Sequence, residues 1–186
     1  DDMLGRYIDQ EPAADRFEAL PEADGHVVIA GFGRFGQIVA RVLRAKQIPF
    51  TALDISPDQI ALVERFGQKA FYGDASRRDI LDAAQTGKAR AFVLAIDDVE
   101  TSLRTAELVR AIYPELAIYA RARNRNHAHR LLDAGVKIVQ RETFLSALEV
   151  TRSVLRGLNM PEREIEQSLR TFRTHDERRL VEDYKH

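Results

Sequence analysis

The sequence predicts an α/β fold: a doubly wound parallel sheet, strand order 3-2-1-4-5-6, with a C-terminal helical extension. Three observations predict it. Six short β-branched or apolar runs alternate with helical patterns along the chain, which is how a parallel sheet covered on both faces is built. The first run, His26 to Ala30, enters a turn with Gly31, Gly33 and Gly36 in G-x-G-x-x-G spacing. The second, Phe50 to Asp54, ends in a carboxylate 18 residues beyond Gly36. Strand, tight turn, helix and terminal acid in that register are the fingerprint of a Rossmann-like nucleotide site.

In HVVIAGFGRFG, Gly31 permits the turn, Gly33 lets the backbone approach a phosphate, and Gly36 lets helix and strand pack closely. The helical pattern QIVARVLRAKQ follows at once. Its exposed first-turn N–H groups and its dipole supply an anion site. Asp54 can accept both ribose hydroxyls of an adenine nucleotide and repels a 2′-phosphate. Ser56 as N-cap and Pro57 at the first helical position start the next helix, which Gly67 stops. Lys69 to Tyr72 reads as the third strand. A short helix within GDASRRDILDAAQTG carries Ile80, Leu81 and Ala84 on one face. Ala91 to Ile96 is the most hydrophobic strand and belongs at the centre. Asp98 to Tyr113 is a helical pattern stopped by Pro114, and Leu116 to Ala120 is the fifth strand. Asn124 or Asn126 caps a helix ending near Ala134. Gly135 gives its C-cap, and Val136 to Val139 is the sixth strand.

The ends read differently. Glu142 to Leu158 is a helix with apolar Phe144, Leu145, Leu148, Val154, Leu155 and Leu158. Gly157, Asn159 and Pro161 break it, and a charged helical pattern runs on to about Phe172. That hairpin cannot bury much against itself, so it packs on the sheet domain or on another subunit. The tail THDERRLVEDYKH has no clear period and is expected to fray. Residues 1–24 hold eight acids against two arginines and read as an acidic linker or as an irregular terminus. A linker implies a segment upstream to link, and the start DDML fits a fragment. The expected organisation is therefore a linker at 1–24, a nucleotide-binding domain at 25–140 and helices for dimerisation with a tail at 141–186.

Composition narrows the function classes. With 186 residues the chain forms one full core and a small appendage. The absence of cysteine excludes disulfides, thiolate catalysis and cysteine-ligated zinc. No run approaches the length of a membrane span. The chain carries 28 basic and 29 acidic residues, and outside the acidic lead 26 and 21. So mild a basic excess, without a clustered footprint, argues against nucleic acid as a partner.

Catalytic signals are sparse. A dehydrogenase of this fold needs a second region to hold substrate beside the cofactor, and the sheet is complete by about Val139. His26 lies at the end of the first strand opposite the crevice. His127 and His129, two apart, point to different sides of a helix and make no metal pair. Asp97 and Asp98 follow the fourth strand; they read as a negative rim and a helix cap more readily than as a catalytic dyad. Arg34, inside the turn, reads as a bidentate phosphate ligand or as a solvated arginine. Asp74 reads as a contact to the adenine edge or as an Asx turn. The run RARNRNHAHR, Arg121 to Arg130, begins on the ligand face with four arginines and no acid. Arg121, Arg123 and Arg130 are candidates for an anion site there, against a merely solvated helix start.

Taken together, HVVIAGFGRFGQIVARVL, LDISPDQIALVERFG, FYGDASRRDIL, LAIDD, YARARN and AGVKIVQRETF resemble the cytoplasmic regulatory domain of bacterial Kef-type, glutathione-regulated potassium-efflux systems. This is the potassium-transport nucleotide-binding, or regulator-of-conductance, domain. The resemblance covers roughly residues 25–160. It implies a dimeric, non-enzymatic module C-terminal to an inner-membrane potassium/proton antiporter. It also implies an adenine nucleotide (AMP or NAD/NADH) in the crevice, glutathione or its adducts as regulators, and in some members a flavin-containing quinone reductase as ancillary partner. Residue by residue it places nucleotide at Gly31, Gly33, Arg34, Gly36, Asp54 and Asp74, with Phe32, Phe35, Ala75 and Ile96 in the same crevice. It places the dimer contact on the helix through Phe144 and Leu148. The chain departs from the family at Leu132, where members carry a basic residue, and at Ile55-Ser56-Pro57-Asp58-Gln59, where they carry HDPDH. Both departures bear on glutathione control, for which Arg121, Arg123 or Arg130 could substitute. The alternative is a nucleotide-dependent oxidoreductase or a fragment of one.

Overall fold

A computed structural model describes residues 25–184; the expected acidic linker at 1–24 lies outside them. The sheet has six parallel strands in the order β3-β2-β1-β4-β5-β6, as expected. They are β1 (Val27–Ala30), β2 (Phe50–Asp54), β3 (Lys69–Tyr72), β4 (Ala91–Leu94), β5 (Ile118–Ala122) and β6 (Ile138–Arg141). The helices between them are α1 (Arg34–Ala45), α2 (Pro57–Arg65), α3 (Arg78–Ala83), α4 (Val99–Ile112) and α5 (Arg125–Asp133). Two more, α6 (Phe144–Gly157) and α7 (Glu162–Tyr184), form the extension.

Strand β1 sits between β2 and β4, with Val27 opposite both Phe50 and Ala91. All four of its residues are buried, so the strand is a continuous apolar run, as a strand covered on both faces must be. Its side chains alternate between two cores. Val28 and Ala30 join Leu81, Phe92, Leu103, Val109 and Leu131 beneath α3, α4 and α5. Val27 and Ile29 join Ala40 and Val63 beneath α1 and α2.

Most element ends differ from the sequence reading by a few residues, and three differences have a visible cause. Strand β5 begins at Ile118 and not Leu116, because the Leu116 N–H donates to the Tyr113 carbonyl in a turn and the ladder to β4 starts with Ile118 opposite Phe92. Strand β6 begins at Ile138, since the Val136 N–H donates to the Leu131 carbonyl and closes the end of α5. The third difference is larger. The expected fraying tail is part of one 23-residue helix, α7. Leu180 packs into the main core, Ile165 and Leu169 are buried, and Arg125 of α5 reaches Asp176 and Asp183. Tertiary contacts and the Arg173–Glu177 pair one turn apart hold a segment whose composition alone suggests none of this.

Candidate functional site

The strand order reverses direction between β1 and β4, and ligands of doubly wound sheets bind outside the carboxyl ends of the strands at that point. The glycine turn stands there. Gly31 has φ +93°, and a Cβ on it would lie 2.4 Å from the Ala95 carbonyl oxygen. A Cβ on Gly36 would lie 2.2 Å from the Gly31 oxygen. Neither position admits a side chain. Gly33 is different: the single atom within 4 Å of its would-be Cβ is Asp97 Oδ2, at 3.9 Å, so its outer side is open. Gly33 caps α1 with extended backbone and no side-chain bond, and the first turn of α1 contains no acid. The N–H groups and dipole of that helix end are thus uncompensated, which suits an anion. Arg34 opens the helix, exposed, with no ion pair among the described residues.

Asp54 ends β2 beside this turn. Its Oδ2 accepts from the Phe32 N–H at 2.7 Å and its Oδ1 from the Ser56 N–H at 2.7 Å. One carboxylate therefore pins the glycine turn and the start of the next loop while each oxygen keeps further lone-pair capacity for a ribose hydroxyl. The Gln37 amide spans the same gap, donating to the Phe32 carbonyl at 3.2 Å and to Gln59 Oε1 at 3.1 Å. Behind the turn, Phe32 is buried and stacks on Phe50 at 6.2 Å, and Phe35 packs on the same core. Beyond β3, Asp74 Oδ1 accepts from the Ser76 N–H at 2.8 Å and hydroxyl at 2.6 Å. That is an Asx turn, and the Ser76 hydroxyl bond leads in holding the Asp74 carboxyl below its ordinary pKa. Ala75 is buried and Ile96 half-buried, both against the main core.

The arginine run separates in space. Arg121, at the end of β5, is 2% exposed. It donates to the Ala95 carbonyl at 2.8 Å, to Asp97 Oδ1 at 2.7 Å and to Glu142 Oε2 at 3.5 Å, and its guanidinium lies 5.8 Å from the Phe35 ring centre. Arg123 is more open and faces the same two acids, 3.7 Å from Asp97 and 3.4 Å from Glu142. Arg130 is not brought to that cluster. It forks onto Glu100 of α4 at 2.6 and 3.1 Å, a bond that holds Arg130 above and Glu100 below their usual pKa ranges. Glu142 is the member that the sequence reading took for a helix start; its role as counter-ion depends on β5 and β6 being neighbours.

Two smaller expectations fall into place. Asp98 caps α4, accepting from the Thr101 N–H at 2.8 Å, and Asn124 caps α5, accepting from the His127 N–H at 2.8 Å. His127 itself is buried, its Nδ1 accepting from the Arg123 N–H at 3.0 Å and its Nε2 3.1 Å from the Ser102 hydroxyl. Burial, then Arg121, Arg130 and Arg123, push its pKa down. His26 is likewise buried, between Thr51 and the Gln85 carbonyl. On α6, Phe144 faces its own chain, stacked on Phe172 at 6.2 Å and under the Arg141 guanidinium at 4.0 Å. Leu148 is half-buried, and no residue of α6 is fully buried. Its outward apolar side chains are Leu145, Val150 and Val154, and its C-cap Leu158 is exposed as well.

Comparison with known proteins bears on this arrangement. The glutathione-regulated potassium-efflux system protein KefC of Salmonella typhimurium is 42% identical over 166 residues, 89% of this chain and 27% of KefC. The chain thus spans about a quarter of the curated relatives it matches. Among solved structures, the Shewanella denitrificans Kef CTD in AMP-bound form is 40% identical with a TM-score of 0.80, covering 87% of this chain and 98% of that one. The TrkA-N domain of the inner membrane protein ybaL from Escherichia coli, 23% identical with a TM-score of 0.65 over 74% of this chain and 99% of that one, shares the fold. The profile of the TrkA-N domain matches residues 27–142, the whole span from β1 to Glu142. The chain belongs to the TrkA-N domain family.

Proposed function

We propose that this chain is a ligand-sensing regulatory domain of a Kef-type potassium-efflux transporter, binding an adenine nucleotide without a 2′-phosphate in the crevice at Gly33 and Asp54. One observation carries the reading. The open face of Gly33 at the uncompensated N-terminus of α1 stands beside a strand-end carboxylate already fixed by two backbone N–H groups. That pairs a phosphate seat with a ribose seat. The 40% identity to a Kef CTD in AMP-bound form supports AMP as first choice, with NAD or NADH sharing the adenosine half. Gly31, Phe32, Gly36, Phe35, Ala75 and Ile96 shape the crevice. Arg34 meets the phosphate, and Asp74 has one oxygen left for the base side.

The role is regulatory and not catalytic. Relatives of this kind are parts of transport systems, and the crevice rim holds ion-paired arginines where an acid–base pair would stand. The domain acts from the cytoplasmic side of an inner membrane, joined to a cation/proton antiporter. It works as a homodimer through α6, where exposed Val150 and Val154 and the C-cap Leu158 want cover. Nucleotide or glutathione shifts the transporter by binding the open and closed arrangements unequally, since equal affinity moves nothing. A quinone reductase subunit is a further candidate partner.

Calorimetric titration with AMP, NADH and NADPH tests the nucleotide assignment. AMP and NADH should bind and NADPH should bind more weakly; equal binding of NADH and NADPH would remove Asp54 from the ribose. Potassium efflux from vesicles carrying the full-length transporter tests the regulatory half. A glutathione response that survives Arg121, Arg123 and Arg130 all changed to alanine would exclude those arginines as its sensor.

A further inference from the structure

Among the described residues, the atom nearest the open face of Gly33 belongs to Asp97, whose charge has the wrong sign for a phosphate. Its Oδ2 lies 3.9 Å from where a Gly33 Cβ would be, while its Oδ1 is held at 2.7 Å by Arg121. The carboxylate is 74% exposed, so it faces solvent and ligand, whereas the charge that holds it is buried. Strand order gives the direction in which a ligand extends. The adenosine half lies over β2, at Asp54, with its phosphate on the α1 N-terminus; anything bonded beyond that phosphate passes over β1 towards β4. Asp97 follows β4 after Ala95 and Ile96. Beyond Arg34, which meets the first phosphate, the local cations offer little relief. Arg121 is committed to Ala95, Asp97 and Glu142, and Arg123 lies within 4 Å of both acids. Two arginines and two carboxylates leave the cluster neutral, with its negative end toward Gly33.

We infer that Asp97 is a specificity-determining residue that favours a single phosphate over a diphosphate by repelling the second one. This rests on the reading that the crevice holds an adenine nucleotide. Removing the Asp97 charge frees Arg123 from one of its two acids and changes the cluster from neutral to +1. At the separations a second phosphate would have, across partly hydrated space, one such charge alters affinity roughly threefold to tenfold.

The test uses AMP and ADP, which share base, ribose and first phosphate. Calorimetry is run on wild-type protein and on Asp97→Asn, whose amide oxygen still accepts from Arg121. Asp97→Glu keeps the charge, and Glu142→Gln removes an equal charge from the far side of the arginines. The wild type should prefer AMP. Asp97→Asn should improve ADP relative to AMP by roughly threefold to tenfold, Asp97→Glu should keep the wild-type ratio, and Glu142→Gln should change it less than Asp97→Asn does. An unchanged ADP/AMP ratio in Asp97→Asn, with AMP still bound, overturns the inference and leaves the nucleotide reading intact. An equal change in Glu142→Gln also overturns it, because the effect is then net charge and not position. Absence of AMP binding to the wild type would instead remove the nucleotide reading itself.

Discussion

Gly36→Ala sets two effects of opposite sign against each other. Gly36 lies inside α1 without a left-handed φ, so helix propensity alone makes alanine better by about 1 kcal/mol. Packing opposes it. The new methyl would sit 2.2 Å from the Gly31 carbonyl oxygen and 3.2 Å from its carbon. Ordinary contact begins near 3.4 Å, so the pair is about 1.2 Å too close, and the clash is with backbone, which cannot swing aside. Relief requires α1 to lift from β1, loosening Phe32, Val39 and Ala40 in the core beneath it. Overpacking of this kind costs about 3 kcal/mol at its upper end, so the net loss should be about 2 kcal/mol. For a domain of this size that is a drop in Tm of roughly 4–8 °C. Gly157→Ala is the control, because nothing lies within 4 Å of its would-be Cβ at the end of α6; it should be neutral or slightly stabilising. Urea unfolding with both variants measures the difference. A Gly36→Ala protein as stable as wild type would refute the claim that this glycine exists for helix–strand approach.

Acid should weaken the fold before its carboxylates titrate. His26 and His127 both have pKa values pushed below the ordinary histidine value, chiefly by burial, so the unfolded chain binds protons that the folded chain refuses. Stability is then constant above about pH 7.5 and falls with pH below about 6.5, by at most about 1.4 kcal/mol per pH unit for each histidine; urea midpoints from pH 8 to 5.5 should show the slope, and His26→Gln should reduce it. Asp74, held below its usual pKa by Ser76, adds a loss in the same direction at lower pH. On α6, Val154→Asp should shift a micromolar sample from dimer to monomer in equilibrium sedimentation while the chain stays folded, with the wild type's melting temperature rising with protein concentration and the variant's not. A wild-type protein that is monomeric under those conditions would eliminate the dimer.

The strand order and the glycine turn were legible because each rests on local rules: short apolar runs between helical patterns, turn glycines and a fixed spacing to Asp54. The caps at Asp98 and Asn124 were legible for the same reason, each bonding within three residues of itself. What was not legible depended on distant partners. Nothing near Arg121 in sequence reveals that Asp97 and Glu142, 24 and 21 residues away, neutralise it, so a run that reads as free positive charge is mostly spent inside the protein. Arg130 was grouped with it by proximity in sequence, yet its acid is Glu100 on another helix. The tail reads as frayed because its apolar residues are few. Leu180 and the Arg125 pairs make it a helix only once α5 is in place beside it.

The most direct test of the account is the titration of AMP into the wild-type chain and into Asp54→Ala. Asp54 joins the two halves of the proposed site, fixing the Phe32 N–H of the glycine turn and facing the ribose position. The account predicts saturable, one-to-one binding to the wild type and a loss of about 1–3 kcal/mol in the variant, or roughly 5- to 150-fold in affinity. Equal affinity in the two proteins, or no binding to the wild type, would contradict it.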